Sequence, residues 1–461
     1  MFSPRSVAVI GASTDPRKFG GFPIHYCSTQ GYKGRLFPVN PNVEMVQGIP
    51  SYPSICDVPH SVDCAVISVP ADQAEAAVKD CALAGVKFGV MFSAGYAEAG
   101  KQGKNFQDRL LNIAQLGGMR LLGPNCMGVF NRGIEFYGTF TSAFEHFNGE
   151  GFPRSGRTSI VSQSGAIGIH LMVLLRDRGV GTGKWITTGN QADINIADCL
   201  YWLASDPETD VIVLYLEGIP DTVAFIAGLK KADLEGKPVL ILKAGITKRG
   251  ARAAKSHTAS LAGTDAVFDG ALRQFGAIRA NSMEDLATLA AVFDTGIRPK
   301  SANLGIITIS GGAGALMADA AVNSGLKMPD LPIGEQTELL KIVPFCSPIN
   351  PMDTAGPGMI DMEIPLRFID IALKSKKYDS LALFLTHVGL LDRHWEKLSA
   401  GLIDRTSLFP ETLIVLSATA TRERQLSMAR AGIPILVEPI AGIRAIGEVV
   451  KFVRRQRKRH R

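Results

Sequence analysis

One of the eight histidines has the neighbours that chemistry needs. His257 lies in the run Lys255-Ser-His-Thr-Ala-Ser-Leu-Ala-Gly263, with Lys248, Arg249 and Arg252 just upstream. A histidine among hydroxyls, small residues and cations suits a core poorly. Its imidazole is mostly neutral near pH 7, since its ordinary pKa is about 6.5, and is then a nucleophile. If it took up a phosphoryl group, nearby cations and helix N-termini would stabilise the added charge. A carboxylate must then hold the other ring nitrogen, and Glu217, at the end of the apolar run from Asp210, is placed to do so. His170 in an apolar helical pattern, His146 and His460 read as structural or exposed.

A second group could hold an anion. Ser162-Gln-Ser-Gly-Ala166 follows an apolar run and opens a helical pattern, so Ser162, Ser164 and the amides near Gly165 converge on one spot; a plain helix cap fits the same residues. A third group begins at Val7-Ala-Val-Ile-Gly-Ala-Ser13, followed by Arg17, Lys18 and Gly20-Gly21. Gly11 and Ser13 sit on a strand-to-helix turn whose amides could bind phosphate, and Arg17 and Lys18 suit a ligand with extra phosphate. Ser13 breaks the GxGxxG pattern. Asn40 stands where a dinucleotide enzyme usually carries Asp or Glu, which argues against NAD. Three more strand ends, Ser68-Val-Pro70, Phe92 to Glu98 and Gly123-Pro-Asn-Cys-Met-Gly128, would line the same crevice, although ordinary loop punctuation reads alike.

These groups need a scaffold of strands that end at one edge. Short apolar runs at Ser6–Ile10, Arg35–Val39, Cys64–Val69, Phe88–Phe92 and Arg120–Leu122 alternate with helical patterns such as Asp72–Ala84 and Gly103–Leu116. That alternation predicts an α/β fold with parallel sheets. The expected organisation is a Rossmann-like domain over 1–131, a linker over 132–157, and two flavodoxin-like doubly wound domains over 158–297 and 298–461. The last two read as copies: Ser159-Ile-Val-Ser-Gln-Ser-Gly165 and Gly305-Ile-Ile-Thr-Ile-Ser-Gly311 stand 146 residues apart, and the offset persists at Gly179 and Gly325. Glu217 becomes Thr386 in the second copy, and the segment around His257 has no counterpart there, so reactivity is expected in the first.

Composition narrows the class. Apolar residues make up 46% and charged residues 20% of 461 positions, a globular balance. The net charge of +6 equals the six cations Arg454, Arg455, Arg457, Lys458, Arg459 and Arg461, which read as a frayed solvated tail rather than a nucleic-acid or membrane site. No apolar run reaches about 18 residues. The start leaves no room for a signal peptide, and seven scattered cysteines without a CxxC pair suggest neither disulfides nor a metal site, so a cytoplasmic protein is expected.

Together the motifs resemble the alpha subunit of the ADP-forming acetate–CoA ligases, and more broadly the succinyl-CoA synthetase superfamily of NDP-forming acyl-CoA synthetases. The turn at Gly11–Ser13, FSAGYAE, GPNCMG, SQSGA, Gly189-Asn190 and KSHTASLAG occur in the family's order across essentially the whole chain. The resemblance implies a CoA-binding domain, with Gly11, Ser13, Arg17 and Lys18 on the CoA phosphates and Asn40 and Ser68–Pro70 flanking its nucleotide. It puts Glu98, Asn125 and Cys126 at the thioester end, and Ser162, Ser164 and Gly165 on the phosphoryl group. It makes His257 the phosphorylated residue, oriented by Glu217. It also implies an ATP-grasp beta subunit that holds ADP or ATP with Mg, and a hetero-oligomer. Ala259 replaces a usual glycine, and Gln191 stands where lysine is common. A non-catalytic CoA-binding regulatory protein of the same fold is the alternative.

Overall fold

The structure, a computed structural model, describes residues 1–145, 151–257 and 265–459; the side chains of residues 253–257 lie outside the described residues too. The chain forms two compact units. One comprises Met1–Val173 with Gly181–Ala280, the other Leu174–Val180 with Asn281–Arg461.

The first unit holds two sheets. In the first sheet, strands β1 (Ser6–Ile10), β2 (Arg35–Val39), β3 (Cys64–Ile67), β4 (Phe88–Met91) and β5 (Arg120–Leu122) run parallel in the order β2-β1-β3-β4-β5. β1, β3 and most of β4 are buried, as strands covered on both faces must be. Tyr52 makes a single parallel bridge to Val39 on the outer side of β2. Counting that residue as a strand reduced to one bridge gives the order 3-2-1-4-5-6, the Rossmann order expected for this segment. Helices Ala71–Leu83 and Lys101–Leu116 cover the sheet. The latter buries Gly103, Gln107, Leu110 and Ala114, one stripe at helical spacing.

The second sheet differs from expectation at its edge. Gly128–Asn131 (β6) and Phe136–Thr139 (β7) form an antiparallel hairpin, and β6 pairs antiparallel with the strand Thr182–Thr187. With β8 (Thr158–Ser162), β9 (Thr182–Thr187), β10 (Val211–Leu216), β11 (Val239–Lys243) and β12 (Ile278–Ala280), the order is β12-β11-β10-β8-β9-β6-β7. The parallel part has the flavodoxin-like order. The stretch 132–157, read as a linker, thus contains a strand, and residues 128–131, assigned to the first domain, belong to the second sheet. The reason is physical: Val129, Phe130, Phe136 and Tyr137 are fully buried. Phe130 stacks on Trp185 at 5.7 Å between centroids, and the Trp185 indole donates to the Gly168 carbonyl at 2.9 Å, fastening helix Gly165–Asp177 to this edge.

In the second unit, β13 (Leu304–Thr308), β14 (Met352–Asp353), β15 (Ser380–Phe384), β16 (Leu413–Ser417) and β17 (Ile435–Leu436) are parallel in the order β14-β13-β15-β16-β17. This is again the flavodoxin-like order, as the repeat predicts. Helix Met283–Asp294, expected in the middle domain, belongs to this unit. The basic tail, read as frayed, is helical as far as Arg459: helix Pro439–Arg459 carries Arg454, Arg455, Arg457, Lys458 and Arg459 near its C-terminus, where the helix dipole favours cations, and Arg461 lies outside the described residues. Among the described residues no helix is long and apolar enough to cross a membrane.

Candidate functional site

Two cavities open along the C-terminal ends of strands in the first unit. The larger, a groove of about 580 Å³, is built on the turn after β1. Gly11 has φ +81°, and a Cβ there would stand 2.5 Å from the Ser68 carbonyl oxygen, so only glycine lets the two strand ends close up. Gly11, Ser13, Lys18, Ser68 and Pro70 line this groove, as expected. The turn's amides do not form the expected cradle. Gly11 and Ala12 donate to the Val39 carbonyl at 3.0 and 3.2 Å, and Ser13 donates to the Gly20 carbonyl at 3.3 Å. The cation lining the groove is Lys18. Arg17 is exposed, but is not among the lining residues. Asn40 is a brace: its amide donates to the Ala12 carbonyl at 2.8 Å and its carbonyl accepts from Asn42.

The smaller cavity, about 280 Å³, adjoins the groove; Phe92, Asn125 and Phe140 line both. It brings together Ser164, Gly165 and Glu217. The first amides of helix Gly165–Asp177 have no partner within the helix and favour an anion. The Ser164 hydroxyl accepts from Ile167 N at 3.4 Å, so it caps the helix at the cavity wall. Ser162 is fully buried, is not in the lining, and its hydroxyl donates to the Ser164 carbonyl at 2.6 Å. It closes the turn and does not offer its hydroxyl to an anion.

Gln163, between these serines, carried no role in the sequence reading. It is 3% exposed and lines the cavity. Its carbonyl accepts from Glu217 N, and from Gly218 N at 2.9 Å, while its amide donates to the Gly218 carbonyl. This fork locks the loop after β10 to the turn after β8 and fixes the backbone that carries Glu217. Burial, with the Glu217 charge and hydrogen bond added, pushes the Tyr215 phenol up to about 12.

On the other wall, Gly189 has φ +55°, and any Cβ there would collide with the Pro124 and Asn125 carbonyls. Asn125 donates to the Asn190 carbonyl oxygen at 3.2 Å, and Asn190 donates to Glu98 and, at 3.0 Å, to Gln107. Glu98, expected at the thioester end, lines neither cavity described here; it orients Asn190 from behind. Burial alone would raise the Glu98 carboxyl, but hydrogen bonds from Asn190 and from the Gly95 and Tyr96 amides outweigh this and hold it below the ordinary range. Cys126 does lie in the cavity wall, but burial pushes its thiol up to about 12 and its sulfur donates to the Met91 carbonyl at 3.3 Å, so no thiolate is on offer. The backbone of Lys248–His257 is helical where a loop was expected. The side chain of His257 and residues 258–264 lie outside the described residues.

Comparison with known proteins agrees with this layout. Residues 5–132 match a family described as CoA binding domain, and residues 155–293 one described as succinyl-CoA ligase like flavodoxin domain. The alpha subunit of ADP-forming acetate–CoA ligase II from Pyrococcus furiosus is 37% identical over 353 residues, 76% of this chain and 75% of the relative. The type I alpha subunit of the same organism is 33% identical over 98% of this chain and 97% of its own. Acetyl-coenzyme A synthetase 1 of Candidatus Korarchaeum cryptofilum, solved with phosphate and ADP, superposes with a TM-score of 0.89 at 31% identity, covering 99% of this chain and 97% of that one. The chain belongs to the ADP-forming acyl-CoA ligases, as an alpha subunit.

Proposed function

We propose that the chain is the CoA-binding, phosphohistidine-carrying subunit of an ADP-forming acid–thiol ligase, catalysing acyl-CoA + ADP + phosphate ⇌ carboxylic acid + CoA + ATP. The observation that carries this reading is the shared wall. A groove lined by Lys18 runs into a pocket with a helix N-terminus and a carboxylate, so a thioester and a phosphate can meet there. The two relatives and the solved structure named above are ligases or synthetases by name, so the ligase reading is taken over the regulatory one.

In this reading CoA lies along Gly11, Ser13, Lys18, Ser68 and Pro70, with Arg17 adding charge at the rim. A phosphate oxygen, the anion held at Ser164 and Gly165, attacks the thioester carbonyl. The C–S bond breaks and the thiolate leaves, taking up a proton. His257 then attacks phosphorus, the P–O bond to the acyl group breaks, and the carboxylate departs. Glu217 holds the imidazolium character that develops. ADP finally takes the phosphoryl group from His257 as the P–N bond breaks. ADP and Mg are held by a partner subunit of ATP-grasp type, and the whole acts in the cytoplasm, consistent with seven unpaired cysteines.

Intact mass of the chain after incubation with acetyl-CoA and phosphate tests this. The expected result is one added phosphoryl group, acid-labile and base-stable, absent from His257→Ala, which still binds CoA. An unmodified wild type, or a modified His257→Ala, overturns it.

A further inference from the structure

The wall common to the two cavities pairs Asn125 with two aromatic rings, and one of the rings comes from the segment first read as a linker. Phe140 follows β7 directly. It stacks on Phe19, with centroids 4.3 Å apart and planes 26° apart, and meets Phe92 nearly edge-on at 4.8 Å and 68°. Phe92 is 7% exposed and directly follows β4; Phe19 is 60% exposed and lines the groove. Phe140, half-buried, therefore stands between a fixed ring and an open one, and lines both cavities.

Its backbone is held on both sides. The Thr139 hydroxyl donates to the Met127 carbonyl at 2.7 Å, and the Thr141 carbonyl accepts from the Tyr26 hydroxyl at 2.8 Å. The polar groups of the pocket are committed to each other: Asn125 to Asn190, Asn190 to Glu98, Gln163 to the Glu217–Gly218 backbone. Such groups can hold a phosphate and a carbonyl, but cannot rearrange around acyl chains of different length. What remains to meet the chain is apolar, with Phe92, Met127 and Phe140 its large side chains beside the small Ala166. Met127 is pressed against Gly165, where a Cβ would stand 2.5 Å from its Cγ. Phe92 and Phe140 also border the groove from which the acyl group would enter, and of these two Phe92 is buried and Phe140 half-buried.

We infer that Phe140 is a specificity-determining residue: its ring closes the acyl end of the pocket and sets the size of acid accepted, admitting short aliphatic acyl groups and excluding branched and aryl ones. The inference rests on the function proposed above. A hydrophobic pocket discriminates by roughly 10- to 200-fold per methylene, so removing a whole ring should be readily visible.

The experiment uses the full chain, wild type and with Phe140→Ala or Phe140→Leu, given phosphate and either acetyl-CoA, isobutyryl-CoA or phenylacetyl-CoA. Release of the CoA thiol is followed, and CoA binding is measured by calorimetry. The expected result is a phenylacetyl-to-acetyl rate ratio raised at least tenfold in Phe140→Ala, with Phe140→Leu between it and wild type; a change in CoA affinity, which a groove residue can cause, is common to the three thioesters and cancels in the ratio. Ratios unchanged in variants that bind CoA and release thiol overturn the assignment. So does equal loss of activity towards all three thioesters. A wild type that binds CoA but releases no thiol from any of them overturns the proposed function, and this inference with it.

Discussion

The two flavodoxin-like sheets share a strand order and a turn, yet after the corresponding strands β10 and β15 the first has Glu217 and the second Thr386. After β8, the Ser162 hydroxyl donates to the Ser164 carbonyl; after β13, the Thr308 hydroxyl donates to the Ser310 carbonyl at 3.0 Å. In each copy the side chain of that same serine accepts from the helix's first turn, Ser164 from Ile167 and Ser310 from Ala313. These features came with the fold. Between them the copies part. Gln163 forks onto the backbone of Glu217 and Gly218, whereas its counterpart Ile309 is apolar and 7% exposed, with nothing to offer a neighbouring loop. Glu217 becomes Thr386, which has φ +48° and whose hydroxyl pairs with its own neighbour His387 at 3.1 Å. What is duplicated is the turn; what is peculiar to the first copy is the carboxylate and the amide that holds its backbone.

The comparison breaks most easily at the carboxylate. Glu217→Gln should slow phosphoryl uptake by roughly ten- to a hundredfold, the worth of about 1.5–3 kcal/mol for a charged hydrogen bond. Thr386→Ala should cost less than about tenfold, as changes away from reacting atoms usually do. Rapid-quench measurement of protein-bound phosphate on both variants decides it; equal losses would erase the distinction between the copies. Gln163→Leu comes next. It strands the Glu217 and Gly218 amides, at a cost of about 1–3 kcal/mol for each buried group left unpaired. Denaturant unfolding should show that loss, and phosphoryl uptake should fall while CoA affinity holds. A variant as stable and as active as wild type would mean the fork positions nothing.

Ser162→Ala and Thr308→Val test the shared turn. The first loses one turn-closing bond, about 0.5–1.5 kcal/mol; the second loses two, because the Thr308 hydroxyl also accepts from Ser310 N at 2.9 Å, and should cost more. Neither should alter the dependence of thiol release on phosphate concentration. A higher phosphate requirement in Ser162→Ala alone would return that serine to the anion site. The smallest effect concerns acid. Glu98 has its carboxyl lowered in the folded state, so the stability it contributes is complete above its ordinary value of 4.5 and is lost as pH falls through the lower folded value. Melting temperatures of Glu98→Gln and wild type should differ at neutral pH and converge as pH drops below 4.5; a constant gap would assign the loss to packing.

Much of this was legible in the residues. Alternating apolar runs gave every strand of the first sheet, and the 146-residue offset foretold a second sheet of like order. Gly11, Lys18, Ser164 and Glu217, singled out because chemistry of their kind clusters at strand ends, do line the two cavities. What escaped depended on partners far along the chain. Asn40 and Glu98 looked like ligand contacts, but each is turned to the protein, toward Ala12 and Asn190. Gln163 was passed over between two serines because an amide's worth lies in what its two ends meet. The hairpin was missed because the segment that follows, Gly- and Phe-rich, shows no clear period, and its stability comes from rings such as Trp185, which lie elsewhere in sequence. Phe140 went with it.

The hairpin has a consequence for anyone who would recombine such proteins. A crossover at residue 131, the boundary the sequence suggests, would split the β6–β7 hairpin and leave Phe140 behind with the recipient. β6 would then have to pair with a foreign β7 on one side as well as a foreign β9 on the other. Only five residues, Gly123–Met127, join β5 to β6, and they include Asn125 and Cys126 of the cavity wall. The transferable module therefore runs past Thr141, and a chimera cut there carries its own acyl-end wall with it.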